Sequence, residues 1–406
     1  MDPTIIVVWQ SLVVGSYRSF FNSLAKVIAS GQIYLFCPQR FKELGFQQVP
    51  CAPFEAPFDG SQSRFHAYAL PVWFLHTQVV FYRGLCLHLW RIARQQRSSQ
   101  VVFMSIGEPY AVTTFVQLLF AKLIFGRRLF FCFYALQNIY KDFSWPLRIL
   151  QAIVFHYTHL ALVLGKEHEE VIRRHGFKGR ALYFPLWFDR RRFFLGDQLT
   201  ALLQNIPSAD IRLSEETFKV GFVGSTSRAK GVLDLLAVRD QLQRDERSCW
   251  SFMVVGAGEL AGEIPAHLAI KAGDAPSFYL GPLPMERVAD FYRSLDVLVV
   301  PSRTMPNWKE QFGRVIIEAW ACGCLVIGSD SGEIPYLIDD ERYIFAEGDV
   351  AMLTAKLRSV YAAWKAASVE ERRAAAGSIA DKARSRFADD VLARNFLNGL
   401  ESKENI

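Results

Sequence analysis

The chain reads as an α/β protein built from two domains, each around a parallel sheet. Short apolar runs alternate with helix-period stretches from Ile5 to Phe345, the strand–helix–strand plan of parallel sheets. Its 406 residues suit two domains that each bury a core. A polar stretch without period, 195–216, reads as the linker between them.

Composition bounds the class before any motif does. With 51% hydrophobic and 21% charged residues the chain is an ordinary globular protein. Charge is divided unevenly: residues 1–200 hold 22 Lys+Arg against 11 Asp+Glu, and the remainder 24 against 29. A basic first half points to an anionic partner. Seven cysteines form no CxxC pair and no His/Cys ligand cluster, which fits reduced thiols in a cytoplasmic protein. Asp2 stands where a signal peptide would be basic, so no leader is expected. Ala67–Tyr82 and Ile149–Gly165 are the most apolar stretches, and both are too short or too interrupted to span a bilayer.

In chain order, Ile5–Trp9 reads as the first strand, and the loop after it carries Gly15. A helix over 18–29 and a strand Ile33–Cys37 complete the first unit. Residues 38–70, with Pro50, Pro53, Pro57 and Gly60, read as irregular. From Gln78 to Arg97 the pattern is helical, with arginines among apolar residues. Strand Val101–Ile106 ends at Gly107 and Glu108, and strand Leu129–Tyr134 runs into Gln137 and Asn138. These are strand ends, where binding residues of parallel sheets gather. A strand at Leu160–Leu164, a charged helix at Lys166–Gly176 and Ala181–Pro185 close the domain.

The second domain opens with Lys219–Gly224 and a loop, Ser225 to Gly231, that holds Arg228 and Lys230. Strands Ser251–Gly256 and Ser277–Gly281 lead into turns with Gly258 and Leu283. Then comes the stretch richest in chemistry. Val297–Val300 is a strand, Phe312–Cys322 a helix, Gly323 a stop and Leu325–Gly328 a strand. Glu310 precedes the helix and Glu318 lies two turns in, their backbones on the order of 12 Å apart. The amides of Phe312, Gly313 and Arg314 would face a phosphate or sugar oxygen at the helix start. Helices over 349–366, 369–386 and 387–400 follow.

The run Glu310, Phe312-Gly313, Glu318-Ala319-Trp320-Ala321-Cys322-Gly323 resembles the donor-binding motif of the family 4 retaining glycosyltransferases, two glutamates eight positions apart. That resemblance implies a GT-B fold: two Rossmann-like domains whose parallel sheets face across a cleft. It implies an acceptor domain at 1–195, with the helix from about 387 to 406 packing back on it, and a donor domain at 217–386. A nucleotide-diphosphate sugar is the implied substrate, with no cofactor and no metal, and a saccharide or lipid-linked acceptor is the second. Donor contacts fall on Gly224, Ser225, Arg228, Lys230, Gly256, Gly258, Gly281, Leu283, Glu310, Phe312, Gly313, Arg314, Val315 and Glu318. Of these, Glu310, Lys230 and Arg228 carry the catalytic roles by resemblance. Lys230-Gly231 matches the family's lysine-glycine pair, while Ser225 replaces its arginine, so Arg228 is expected to supply that charge. Glu318 is expected on the ribose and Glu310 on the donor sugar. Gly15, Glu108, Gln137 and Asn138 are expected at the sugar and acceptor cleft, Gln137 standing near where many members have a histidine.

The work this implies is transfer with retention in cell-surface polysaccharide or glycolipid assembly. An NDP-sugar 2-epimerase of the same architecture is the alternative. Nucleic-acid binding is not expected, since no aromatic RNA-binding motif or recognition helix stands out. The arginines of 78–97, with Arg127-Arg128 and Arg190 to Arg192, allow peripheral contact with an anionic membrane. They equally allow a solvated basic face.

Overall fold

The computed structural model describes residues 3–13, 17–28, 30–41, 49–51, 64–76, 79–196, 217–245, 249–269 and 275–401. Gly15 and nearly all of the expected linker lie outside them. The chain divides into two units: unit 1, Met1–Pro185 with Asp389–Ile406, and unit 2, Leu186–Ala388. Residues 186–195, which the sequence reading assigns to the first domain, belong to unit 2, and so do Phe387 and Ala388. Phe188 explains the first shift: it is buried and bonds through its amide to Phe387 O.

Unit 1 is built on a seven-stranded sheet in the order β11-β10-β9-β8-β1-β2-β5. Its elements are β1 Thr4–Trp9, α1 Ser19–Val27, β2 Ile33–Pro38, β3 Arg40–Phe41, β4 Val49–Pro50, β5 Phe65–Leu70, β6 Val72–His76, β7 Val79–Tyr82, α2 Leu85–Gln95 and β8 Val101–Ile106. There follow α3 Val112–Phe125, β9 Leu129–Ala135, α4 Trp145–Tyr157, β10 Leu160–Val163, α5 Lys166–Arg174 and β11 Ala181–Tyr183. Every pairing in this sheet is parallel. The central strands β1, β2 and β8 are buried throughout, which is why they are apolar on both faces rather than alternating. Two expectations are corrected. The irregular stretch before residue 70 contains β5, an edge strand paired with β2. The helix expected over 78–97 is a strand and a shorter helix: β7 pairs antiparallel with β6, and Gly84 at φ 80° turns the chain into α2.

Unit 2 carries a six-stranded parallel sheet in the order β14-β13-β12-β15-β16-β17. Its elements are β12 Phe218–Val223, α6 Val232–Asp245, β13 Trp250–Val255, α7 Ile264–His267, β14 Phe278–Gly281, α8 Met285–Arg293, β15 Val297–Val300 and α9 Arg314–Ala321. Then come β16 Leu325–Ser329, α10 Ile334–Ile338, β17 Ile344–Phe345, α11 Val350–Ala366 and α12 Val369–Phe387. A capping box starts α12: Ser368 accepts from the Glu371 amide and Glu371 reaches back to Ser368. The final helix, α13 Asp389–Glu401, belongs to unit 1, where Phe396 meets Phe20 and Phe184 edge-on or tilted. Gly399 lies close enough to Leu182 that a Cβ there would meet its side chain at 2.7 Å.

In both sheets the strand order reverses once at the middle, between β1 and β8 in unit 1 and between β12 and β15 in unit 2. Crevices at such reversals are where parallel sheets bind ligands, beyond the carboxyl ends of the strands.

Candidate functional site

In unit 2 the loops beyond β12, β13, β15 and β16 meet backbone to backbone. A Cβ on Gly256 would lie 1.8 Å from Gly224 O, one on Gly231 1.7 Å from Pro301 O, and one on Gly332 2.0 Å from Glu310 O. All three glycines have positive φ (144°, 68° and 55°), so both the conformation and the space require glycine. Hydrogen bonds follow the same path: Thr226 N to Ala257 O at 3.1 Å, Arg303 N to Ala229 O at 2.8 Å, Glu333 N to Glu310 O at 3.2 Å. Gly258 is equally confined, its Cβ position lying 2.8 Å from Thr226 O. Gly281 supports the outer loop by accepting the Gly256 amide at 2.9 Å.

Within this frame the structure brings Lys230 and Glu310 together across the strand reversal. Lys230 Nζ lies 2.7 Å from Glu310 Oε2, and Ser302 Oγ donates to the same oxygen at 2.8 Å. Glu310 is buried, while Lys230 keeps part of its side chain in solvent, its ammonium 4.8 Å from the Trp308 ring centroid. A carboxylate held by a lysine and a serine has a fixed orientation and lone pairs left over for a ligand hydroxyl. The lysine keeps donor capacity for an incoming anion.

Eight residues on, Glu318 is held differently. Its Oε1 lies 2.8 Å from Arg314 Nε one turn back on α9, and Tyr292 OH donates to Oε2 at 3.2 Å. Burial pushes its carboxyl above the usual range, against the pull of Arg314 and of the Tyr292 hydroxyl. Both oxygens of Glu318 are engaged here, so a ribose there would share or displace these partners. Gly313, at φ 81°, precedes the first turn of α9, and buried Phe312 packs edge-on against Phe387 with ring centroids 6.2 Å apart. Val315 and Leu283 are half-buried and Ser225 borders the β12 loop.

Arg228 lies in the same loop, three residues after Ser225. It is exposed, its main-chain amide donates to Glu259 at 3.0 Å, and its guanidinium has no partner among the described residues. A different cation is fixed nearby: Arg303 pairs bidentately with buried Asp234, a bond that raises its pKa.

In unit 1 the reversal is marked by Glu108, at the end of β8. Its carboxylate takes the Leu136 amide at 2.9 Å and also the amide of Gln137, tying the β8 end to the β9 end. Burial raises its pKa to about 7, against those two amides and Lys141. Gln137 is half-buried beside it. Asn138 is buried, and its side chain donates to Glu167 at 3.1 Å, so it anchors α5 rather than standing free for a sugar.

Sequence reasoning missed Ser302, Tyr292 and Trp308. Ser302 is the second residue beyond the β15 strand end, in the loop where parallel sheets gather binding residues. Tyr292 carries no local signal, since its contact depends on α8 packing against α9. Among the described residues no three His, Cys, Asp or Glu side chains are grouped to hold a metal ion, and no helix is long and apolar enough to cross a membrane.

Comparison with known proteins places these loops in context. Residues 206–380 match the family model "Glycosyl transferases group 1". A D-inositol 3-phosphate glycosyltransferase of Corynebacterium jeikeium is 34% identical over 126 residues, 30% of this chain and 29% of that protein. The chain spans less than half the length of the curated relatives it matches. Among solved structures, a sucrose-phosphate synthase of Thermosynechococcus elongatus superposes with TM-score 0.64 at 15% identity, covering 98% of each chain. HepE of Anabaena, solved with UDP and glucose, superposes with TM-score 0.63 at 15% identity, over 98% of this chain and all of that one. The fold is therefore GT-B, with two parallel-sheet α/β units. The matched family model and the Corynebacterium relative are named as glycosyltransferases, which does not favour the epimerase alternative.

Proposed function

We propose that the chain is a retaining, metal-independent glycosyltransferase. It moves a hexosyl unit from a nucleotide-diphosphate sugar to a saccharide or lipid-linked acceptor in cell-surface polysaccharide or glycolipid assembly in the cytoplasm. The observation that carries this reading is the Lys230–Glu310 pair at the strand reversal of a domain matching the group 1 family. Lys230 meets the diphosphate, and the amides at the start of α9 add partial positive charge to it. Glu310, oriented by Lys230 and Ser302, holds hydroxyls of the donor sugar. Glu318 holds the ribose. As the sugar–phosphate bond breaks, negative charge gathers on the leaving diphosphate, and fixed cations there act mainly on the transition state. That diphosphate takes the proton of the attacking acceptor hydroxyl on the face it leaves, so the anomeric configuration is kept without a protein nucleophile. UDP in the HepE structure, and UDP-2-fluoro glucose in an E. coli trehalose-6-phosphate structure of similar fold, make UDP-sugars the first donors to try.

The test is a thermal-shift screen of UDP- and GDP-sugars, then an assay of sugar transfer with proton NMR of the anomeric signal. Stabilisation by a nucleotide sugar, transfer in the presence of a chelator and a retained anomer support the proposal. A strict need for Mg²⁺ or Mn²⁺, or an inverted product, would overturn the corresponding part.

A further inference from the structure

Unit 1 carries a helical face whose composition its own fold does not use. Helix α2 packs against α3, and α3 against α4. Each presents large apolar side chains to solvent: Leu87 and Trp90 on α2, Leu119 and Leu123 on α3, Trp145 and Ile149 on α4. Leu123 and Trp145 are each 73% exposed, the highest values among the large exposed apolar side chains of the described residues. Helix spacing groups them with cations. Arg91 and Arg94 share the face of Leu87 and Trp90, Lys122 lies between Leu119 and Leu123, and Arg148 lies three residues from Trp145 on α4. Lys122 reaches across to Tyr157 of α4, 5.2 Å from its ring centroid, so the ridges of α3 and α4 adjoin.

The charge on this face is one-sided. From Val79 to Lys166 the sequence has ten Lys+Arg and two carboxylates, Glu108 and Asp142, and neither lies on α2, α3 or α4. Glu108 is turned onto the β9 strand end. Helix α4 also walls a recess of about 480 Å³ whose lining includes Arg148, His156, Arg174 and Lys178 and no carboxylate. Arg174 lies over the Tyr140 ring at 4.2 Å instead of in an ion pair.

We propose that this face docks the protein on an anionic phospholipid surface. Tryptophan and leucine side chains enter the boundary between headgroups and acyl chains, and the cations meet lipid phosphates. The recess beside α4 takes a headgroup phosphate. Large exposed apolar side chains bedded among cations, of which Arg148 meets a carboxylate, Asp142 at 3.5 Å, match that surface. A second copy of the chain would oppose cation to cation, and a spanning mode has no helix of sufficient length among the described residues. The structure also narrows the sequence expectation: Arg190 to Arg192 lie in unit 2, where Arg191 pairs with Asp189 at 2.9 Å, and are no part of this face. No residue of the face belongs to the Lys230–Glu310 site, so this surface stands apart from the donor reading.

The experiment is sedimentation of the full chain with vesicles of phosphatidylcholine alone and of phosphatidylcholine mixed with phosphatidylglycerol, at low and high salt. Binding is expected to the mixed vesicles only and to weaken with salt. Each cation removed should weaken it roughly five-fold, so Arg91→Gln, Lys122→Gln and Arg148→Gln together should cost on the order of 100-fold. Leu123→Gln with Trp145→Gln should weaken binding at every salt concentration. Circular dichroism and sedimentation velocity check that the variants stay folded. Equal binding to neutral vesicles, or binding to neither kind, would overturn the proposal. So would a dimer that both sets of variants dissociate, which would assign the face to a second copy.

Discussion

In unit 2 the strand-end loops are joined through main chain. Gly231, Gly256 and Gly332 let neighbouring loops approach until no side chain fits between them. In unit 1 the corresponding edge is joined through side chains: Glu108 to the Leu136 amide, Asn138 to Glu167, Ser105 to Gln117 at 2.6 Å. There the positive-φ glycines among the described residues, Gly84, Gly126 and Gly176, stand at helix ends, and none follows a strand of the seven-stranded sheet. A main-chain frame fixes its geometry whatever the surrounding sequence, and it suits a ligand part that is always the same. A side-chain frame can be altered one residue at a time. If unit 2 holds the nucleotide sugar and unit 1 the acceptor, the constant half of the reaction falls on the rigid edge and the variable half on the adaptable one.

The sharpest way to break this comparison is to add one methyl group to each edge. Gly256→Ala places a Cβ 1.8 Å from Gly224 O at φ 144° and should destabilise the protein by roughly 3 kcal/mol or more, or prevent folding. Gly107→Ala in unit 1 meets only Thr114 Oγ1 at 3.1 Å, without positive φ, and should cost under about 1 kcal/mol. Urea unfolding of both variants is the measurement, and equal losses would refute the distinction.

Next in size is Lys230→Ala. It removes the cation from buried Glu310 and from the leaving diphosphate, so turnover should fall about 10²- to 10³-fold. The loss should appear in kcat more than in KM, and the melting temperature should move far less than for Gly256→Ala. Arg228→Ala is the contrast: an exposed guanidinium without partners should change kcat less than about three-fold. Comparable losses in the two variants would restore Arg228 to the site. Smaller again is Glu318→Gln, which keeps the shape beside Tyr292 and Arg314 but weakens a carboxylate's acceptance. Affinity for the bare nucleoside diphosphate should drop roughly ten-fold. Unchanged affinity, by titration calorimetry, would remove Glu318 from the ribose.

These cases show what could be read in advance. The buried strands of both sheets were legible because burial on both faces leaves unbroken apolar runs, as in Val101–Ile106 and Val297–Val300. Lys230, Glu310 and Glu318 were singled out by their resemblance to a family motif, and the structure brings the first two within 2.7 Å. The stretch 78–97 misled because β7 owes its form to pairing with β6, a contact its own residues do not encode as a period. Ser302 and Tyr292 were hidden for a related reason: each matters through a contact with a distant loop or helix. The role expected of Arg228 came from the resemblance, with Ser225 standing where the family has arginine, and in the structure its guanidinium is exposed.

The smallest effect concerns Glu108, and it tests the side-chain edge directly. Its carboxyl is raised from 4.5 to about 7 in the folded protein, first by burial. Between those values the folded state binds more protons than the unfolded one, so stability is greatest below about pH 4.5, falls as pH rises and levels off above about 7. For a half-buried group the whole change is on the order of 2 kcal/mol. Glu108→Gln removes the titration while its amide oxygen can still accept from Leu136 and Gln137. The variant should match or exceed the parent in stability at pH 8, and should lose most of the parent's advantage of pH 5 over pH 8. Urea unfolding at both pH values reads this out as a difference of differences, so titrations shared by the two proteins cancel. A parent and variant with the same pH slope would mean that Glu108 is ionised throughout. The β8 and β9 ends would then be joined by a charged bridge that water and Lys141 already satisfy, and the unit 1 edge would be less adaptable than its side-chain construction suggests.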